Sequence, residues 1–133
     1  MNMNAVSVRA SSAYRQIQHE SRAAAADAVE LVAMLYEELE TVLGVLLVLA
    51  RQQQSIATTD PAHRARMLLI ALDAGLDHAA GGELAHSLSQ IYNSMRRRFE
   101  GSAATGDVGG LAEIAKGVAS LRAAWEQIGR PAG

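Results

Sequence analysis

Residues 28–53 read AVELVAMLYEELETVLGVLLVLARQQ. Within them Ala28, Val32, Leu35, Leu39, Val42, Leu46 and Leu49 recur at alternating spacings of four and three. That period keeps apolar side chains on one face of an α-helix, and it predicts a long helix over 28–53. Asp27 stands where an N-cap belongs, and Glu30 where a capping box places its acid. The second half, VLGVLLVLA at 42–50, is apolar nearly all round. A bundle helix needs about one apolar face, and the seam uses only Val42, Leu46 and Leu49. Leu43, Val45, Leu47 and Val48 are left over. Either they sit beside neighbouring helices or they form an exposed patch, which a soluble monomer seldom leaves unused. A groove of that kind would take an amphipathic partner segment by its leucines. The run has nine residues, whereas a membrane-spanning helix takes roughly 20.

The rest of the chain repeats the helical period in shorter pieces. Residues 55–61 interrupt it and read as a loop. A second helix over 62–79 carries Ala65, Leu69, Leu72, Leu76 and Ala79, and Gly81-Gly82 stops or kinks it. A third carries Leu84, Leu88, Ile91 and Met95, which are expected to pack inward. The stretch 101–106 reads as the next break, with Asp107 available as a cap. The last helix carries Leu111, Ala115, Val118, Leu121, Trp125 and Ile128 and ends at Gly129 and Pro131; Trp125 continues its seam and is expected to be largely buried. Four helices joined by short breaks predict an all-α, antiparallel four-helix bundle. Residues 1–12 are small and polar and are expected to be flexible, as are 130–133, leaving 13–129 as one bundle domain. Tyr14 and Ile17 interrupt the polar N-terminal region and could form a short amphipathic turn.

Composition agrees with this class. The chain has 133 residues, enough for one core. It is 50% hydrophobic but only 4% aromatic, and it is rich in the strong helix formers Ala and Leu. The formal net charge of −2 does not recommend a nucleic acid or an anionic membrane as partner. There is no cysteine, so disulfides and thiolate metal sites are excluded. The N-terminal MNMNAVSVRASSAYRQ has no apolar core of a secretory signal.

Three patterns could carry chemistry, and each has a plainer reading. Glu83 and His86 have the Glu-x-x-His spacing that di-iron bundles use twice, along with further glutamates on facing helices. Here the pair occurs once; Asp60 and His63 repeat the spacing only at a helix start, beside a proline. Two solvated surface residues are the better account, and no cofactor is expected. Asp73 and Asp77 share a helix face but read as solvated acids. No nucleophile elbow or glycine-rich phosphate loop is present, so no enzyme activity is expected. Arg96, Arg97 and Arg98 form the only basic run. Successive helical residues project about 100° apart, so the three fan around the axis and cannot all face one phosphate backbone. They suit a helix C-terminal half, or the acids of a protein partner.

Four blocks now stand in register: AYRQI, ADAVELVAMLY, GGELAHSLSQIYNSMRRRF and LRAAWEQI. In order and spacing they resemble the flagellar export chaperone family FliS, over about residues 13–128. The third block is the most specific. The chain departs from the family where Ala26-Asp27-Ala28 replaces Ala-Ser-Pro, and where MLYEE, with Glu37 and Glu38, replaces MLYDG.

The resemblance implies an antiparallel helical bundle in the cytoplasm. It implies binding of the disordered C-terminal segment of flagellin, which prevents premature polymerisation, and delivery to a component of the flagellar type III export gate. It also implies that Tyr14 and Ile17 form a short N-terminal helical cap over the partner groove. The expected partner-binding residues are therefore Tyr14, Ile17, Leu43, Leu47, Val48, Tyr92 and Arg97. Neither the cognate flagellin nor an oligomeric state follows from the sequence. The other functional readings are an adaptor or chaperone for a different secreted or regulatory protein, and a carboxylate-bridged metal bundle.

Overall fold

A computed structural model describes residues 24–129, with side chains for 29–127. The helices are α1 (Ala24–Arg51), α2 (Asp60–Ala74), α3 (His78–Thr105) and α4 (Val108–Gly129). No strand occurs among the described residues. α1 packs most extensively against α4 and then α2; α2 also packs on α3, and α3 on α4. The backbones of the diagonal pairs, α1 with α3 and α2 with α4, do not approach one another. Short connections in this cyclic order make an antiparallel four-helix bundle. No described helix is long and apolar enough to cross a membrane.

The core line of α1 is Tyr36, Leu39, Leu43, Leu46 and Ala50. It shares Leu39 and Leu46 with the seam read from the sequence. Otherwise it lies one residue further along, so Val32, Leu35, Val42 and Leu49 become half-buried flanks packed against the core. The reason is the width of the buried arc. α1 borders two helices, and an arc that wide contains both candidate lines. Leu43 was expected as a surplus surface residue, but it is fully buried.

The helix ends follow local chemistry. α1 is already helical at Ala24, so Asp27 lies inside it rather than capping it. At the other end, Gln53 takes a left-handed conformation (φ 59°). The Gln54 N–H reaches the Leu49 carbonyl at 2.9 Å, and the Gln53 N–H reaches Ala50, also at 2.9 Å. This closes the helix as a Schellman motif with glutamine where glycine is usual. The Thr59 hydroxyl accepts from the Ala62 N–H and caps α2, with Pro61 in the first turn. Ile56, in the connecting loop, is buried in the core.

α2 ends at Ala74, not near residue 79, because Gly75 closes it and Asp77 caps α3 through the Ala80 N–H at 3.1 Å. Ala79 is consequently exposed. Gly81-Gly82 lies inside α3, where Gly82 (φ 52°, ψ −124°) puts a kink after the first turn. Gly101 does not interrupt α3. The break falls at Gly106, whose φ of 69° suits glycine, and Asp107 caps α4 by accepting from the Gly110 N–H at 3.0 Å.

α3 buries Ala85, Tyr92, Met95, Phe99, Ser102 and Ala103. Of the expected inward residues, Met95 is buried and Leu88 is half-buried, whereas Leu84 and Ile91 are exposed. Tyr92 and Phe99 have larger apolar bodies, and they turn the helix by one position, about 100°. α4 buries Leu111, Ile114 and Val118, with Ala115, Leu121 and Trp125 packed at the margin. Trp125 is thus only half-buried, and its indole N–H donates to the Val29 carbonyl at 2.9 Å.

Polar side chains fasten three of the four seams. Arg122 joins Glu40 of α1 to Glu126 of α4, and Arg64 pairs with Glu38 between α2 and α1. Arg66 donates to Glu100 of α3 at 2.6 Å and to the Ala57 carbonyl at 2.7 Å, with its guanidinium over the Phe99 ring. The Ser89 hydroxyl donates to Asp73 at 2.6 Å across the same seam.

Candidate partner-binding surface

Among the described residues, packing of this bundle leaves six large apolar side chains in solvent: Met34, Val45, Val48, Met67, Leu84 and Ile91. Val45 and Val48 continue along the outer face of α1 from Met34 through Thr41, at helical spacing. Met67 extends that surface onto α2. The Arg64–Glu38 pair marks where the two antiparallel helices meet. Met34 is one turn from Glu38 and Met67 about one turn from Arg64, and in antiparallel helices those steps run the same way. Two unbranched, polarisable thioethers on one edge suit a partner surface that must adapt. Leu84 and Ile91 lie on the outer face of α3, one heptad apart. Since α1 and α3 are diagonal, the two apolar lines look out from opposite sides of the bundle.

The expected binding residues do not converge on one surface. Val48 is 51% exposed on α1, and Leu47 is half-buried beside it. Leu43 is in the core, because α1 is covered from two sides, and it cannot touch a partner in the folded bundle. Tyr92 is also buried, at 2% exposure, and its hydroxyl is hydrogen-bonded to that of Tyr36. Arg97 is exposed on α3. Tyr14 and Ile17, and the N-terminal cap they were expected to form, lie outside the described residues. Met34, Met67, Leu84 and Ile91 were missing from the expected set. The period alone assigned Leu84 and Ile91 to the core, and single methionines carry no periodic signal.

Electrostatics distinguish the two sides. Beside Met34 and Met67, the hydrogen bond from Arg64 holds the Glu38 carboxyl below its ordinary pKa and raises that of Arg64. Charges there are mutually satisfied. Arg97 and Arg98 on α3, in contrast, have no carboxylate partner among the described residues. Glu83 and His86 are exposed. No group of three His, Cys, Asp or Glu placed to hold a metal ion occurs among the described residues.

This is an all-helical bundle whose outer faces retain apolar side chains. The sequence pattern of the family described as "Flagellar protein FliS" matches residues 10–132, and the chain belongs to that family. It is also 29% identical over 117 residues to the flagellar secretion chaperone FliS of Salmonella typhimurium, a match spanning 87% of each chain. No solved structure matches it.

Proposed function

We propose that this protein is a non-enzymatic export chaperone of the cytoplasm that holds the disordered C-terminal segment of flagellin. It prevents premature polymerisation and aids delivery to the export gate. Family membership supports the chaperone class, and the similar Salmonella protein is named a secretion chaperone. The observation that carries a binding role is the exposed apolar line of Met34, Val45 and Val48 on α1, continued by Met67. Residues 13–129 act as the binding unit, with Tyr14 and Ile17 among its partner-binding residues.

The energetics favour apolar anchoring. A disordered tail loses on the order of 1 to 2 kcal/mol of backbone entropy per residue fixed. Exposed ion pairs return about 0 to 1 kcal/mol each, too little to hold a long segment. Buried apolar area contributes about 25 cal/mol per Å² and makes up the difference when the tail brings several leucines. Titration calorimetry with the flagellin C-terminal segment tests this. The expected result is binding with a large negative heat-capacity change and a shallow salt dependence. No binding, or binding that salt abolishes, would refute it.

A further inference from the structure

All the sulfur of this chain is thioether: it has five methionines and no cysteine. Met1 and Met3 lie outside the described residues. The other three differ in their surroundings. Met95 is 7% exposed and packs in the core, its terminal methyl 3.0 Å from where a Cβ on Gly117 of α4 would stand. Met34 and Met67 are 62% and 58% exposed. They stand on one edge, each about one turn from the Arg64–Glu38 pair that joins α2 to α1. That edge is the adaptable part of the proposed tail-binding line.

Access decides which sulfur reacts. A thioether is oxidised when a peroxide reaches its lone pair, so an exposed methionine reacts ahead of one sealed in a core. The sulfur attacks one oxygen of hydrogen peroxide. An S–O bond forms as the O–O bond breaks, and the second oxygen leaves as water after proton transfer. Sulfur loses two electrons and the peroxide gains them. The product is a sulfoxide, polar and chiral where the side chain had been apolar. Reduction by a dithiol returns the thioether, releasing the oxygen as water and leaving a disulfide. Having no cysteine, this chain cannot supply that dithiol, so the reductant is a separate protein of the methionine sulfoxide reductase class.

We infer that Met34 and Met67 form a reversible oxidation site that weakens the proposed binding line when peroxide is present. This rests on the proposed function and adds its regulation. Sulfoxides at both positions put two polar oxygens on the edge, and covering them with an apolar segment strips their water without supplying donors. Val45 and Val48 on the same line do not oxidise, so binding is weakened rather than abolished. Neither exposed methionine packs in the core, so the bundle stays folded while its surface changes.

The test oxidises the purified full chain with hydrogen peroxide and locates the added oxygen by peptide mass spectrometry. Met34 and Met67 are expected to be modified well before Met95, with circular dichroism and the unfolding midpoint unchanged at that stage. Calorimetry with the flagellin C-terminal segment should then show affinity lowered roughly tenfold or more, the order that losing one or two apolar anchors brings. Methionine sulfoxide reductase with a dithiol should restore it. A variant carrying both Met34→Leu and Met67→Leu keeps volume and apolar character and removes both oxidisable sulfurs. It should bind like the wild type and keep its affinity after peroxide. If the untreated wild type does not bind the segment, the proposed function fails and the switch fails with it. If it binds, and oxidation of both exposed methionines leaves affinity unchanged, only the switch is overturned. A double leucine variant that loses affinity as the wild type does would also overturn it, as would oxidation of Met95 at the rate of the exposed pair.

Discussion

The hydroxyls of Tyr36 and Tyr92 hydrogen-bond to each other across the diagonal of the bundle, 56 residues apart in sequence. Their helices, α1 and α3, make no backbone approach. The two side chains, 1% and 2% exposed, span the centre with ring centroids 6.5 Å apart. A polar pair enclosed by leucines is satisfied only when both helices have the right rotation and height, so the pair selects a register as well as adding contact.

Tyr36→Phe is expected to lower stability by about 0.5 to 1.5 kcal/mol, the net value of one such bond. Burial raises the Tyr36 pKa above 10.0, with the bond to Tyr92 opposing it only in part. The folded state therefore holds its proton longer than the unfolded chain. Its contribution is intact below pH 10 and is lost as pH rises through the folded pKa. Chemical denaturation of the wild type should show an alkaline decline starting near pH 10, and Tyr36→Phe should flatten it. Equal declines in both proteins would place the titrating group elsewhere.

Leu43 and Val48 should separate folding from binding. Leu43→Ala removes a fully buried side chain and is expected to cost about 2 to 5 kcal/mol. Leu43→Asp should unfold the bundle, abolishing tail capture only as a consequence. Val48→Asp should keep normal helicity and unfolding midpoint while weakening capture. A folded, binding-defective Leu43→Asp protein would contradict the core assignment.

Two helix positions invite stabilising substitutions. Gly44 lies inside α1, and a Cβ there would meet nothing within 4 Å. Gly44→Ala should add about 0.5 to 1 kcal/mol by reducing unfolded-state entropy. Gln53 has φ 59°, a conformation that costs a side chain about 1 kcal/mol or more. Gln53→Gly should therefore raise the thermal midpoint, whereas Gly106→Ala, at φ 69°, should lower it.

Trp125→Ala is expected to cost roughly 2 to 3 kcal/mol, less than the 3 to 5 of a fully buried aromatic. Its body is half-buried, but its N–H donation to Val29 ties α4 to the start of α1. Trp125→Phe should recover most of the packing and none of the hydrogen bond. Urea denaturation of both variants measures the two contributions separately.

The existence and order of the helices were legible in the sequence because apolar spacing is a local property. The long run ending near Arg51 announced α1, and Leu111 through Trp125 announced α4. Asp107 announced the last junction, since a capping side chain acts within a few residues of itself. What the sequence could not separate were neighbouring apolar lines on one helix. Val42 and Leu43, or Ile91 and Tyr92, are adjacent and differ by about 100° of rotation. Either member could face the axis until the other helices were present. The tertiary structure decided this by flanking α1 on two sides and by seating Tyr92 against Tyr36. That choice buried Leu43 and released Leu84 and Ile91, so it moved the candidate binding surface. Which side chains remain for a partner depends on which ones the bundle has already consumed, and that is a property of the assembled helices rather than of any one of them.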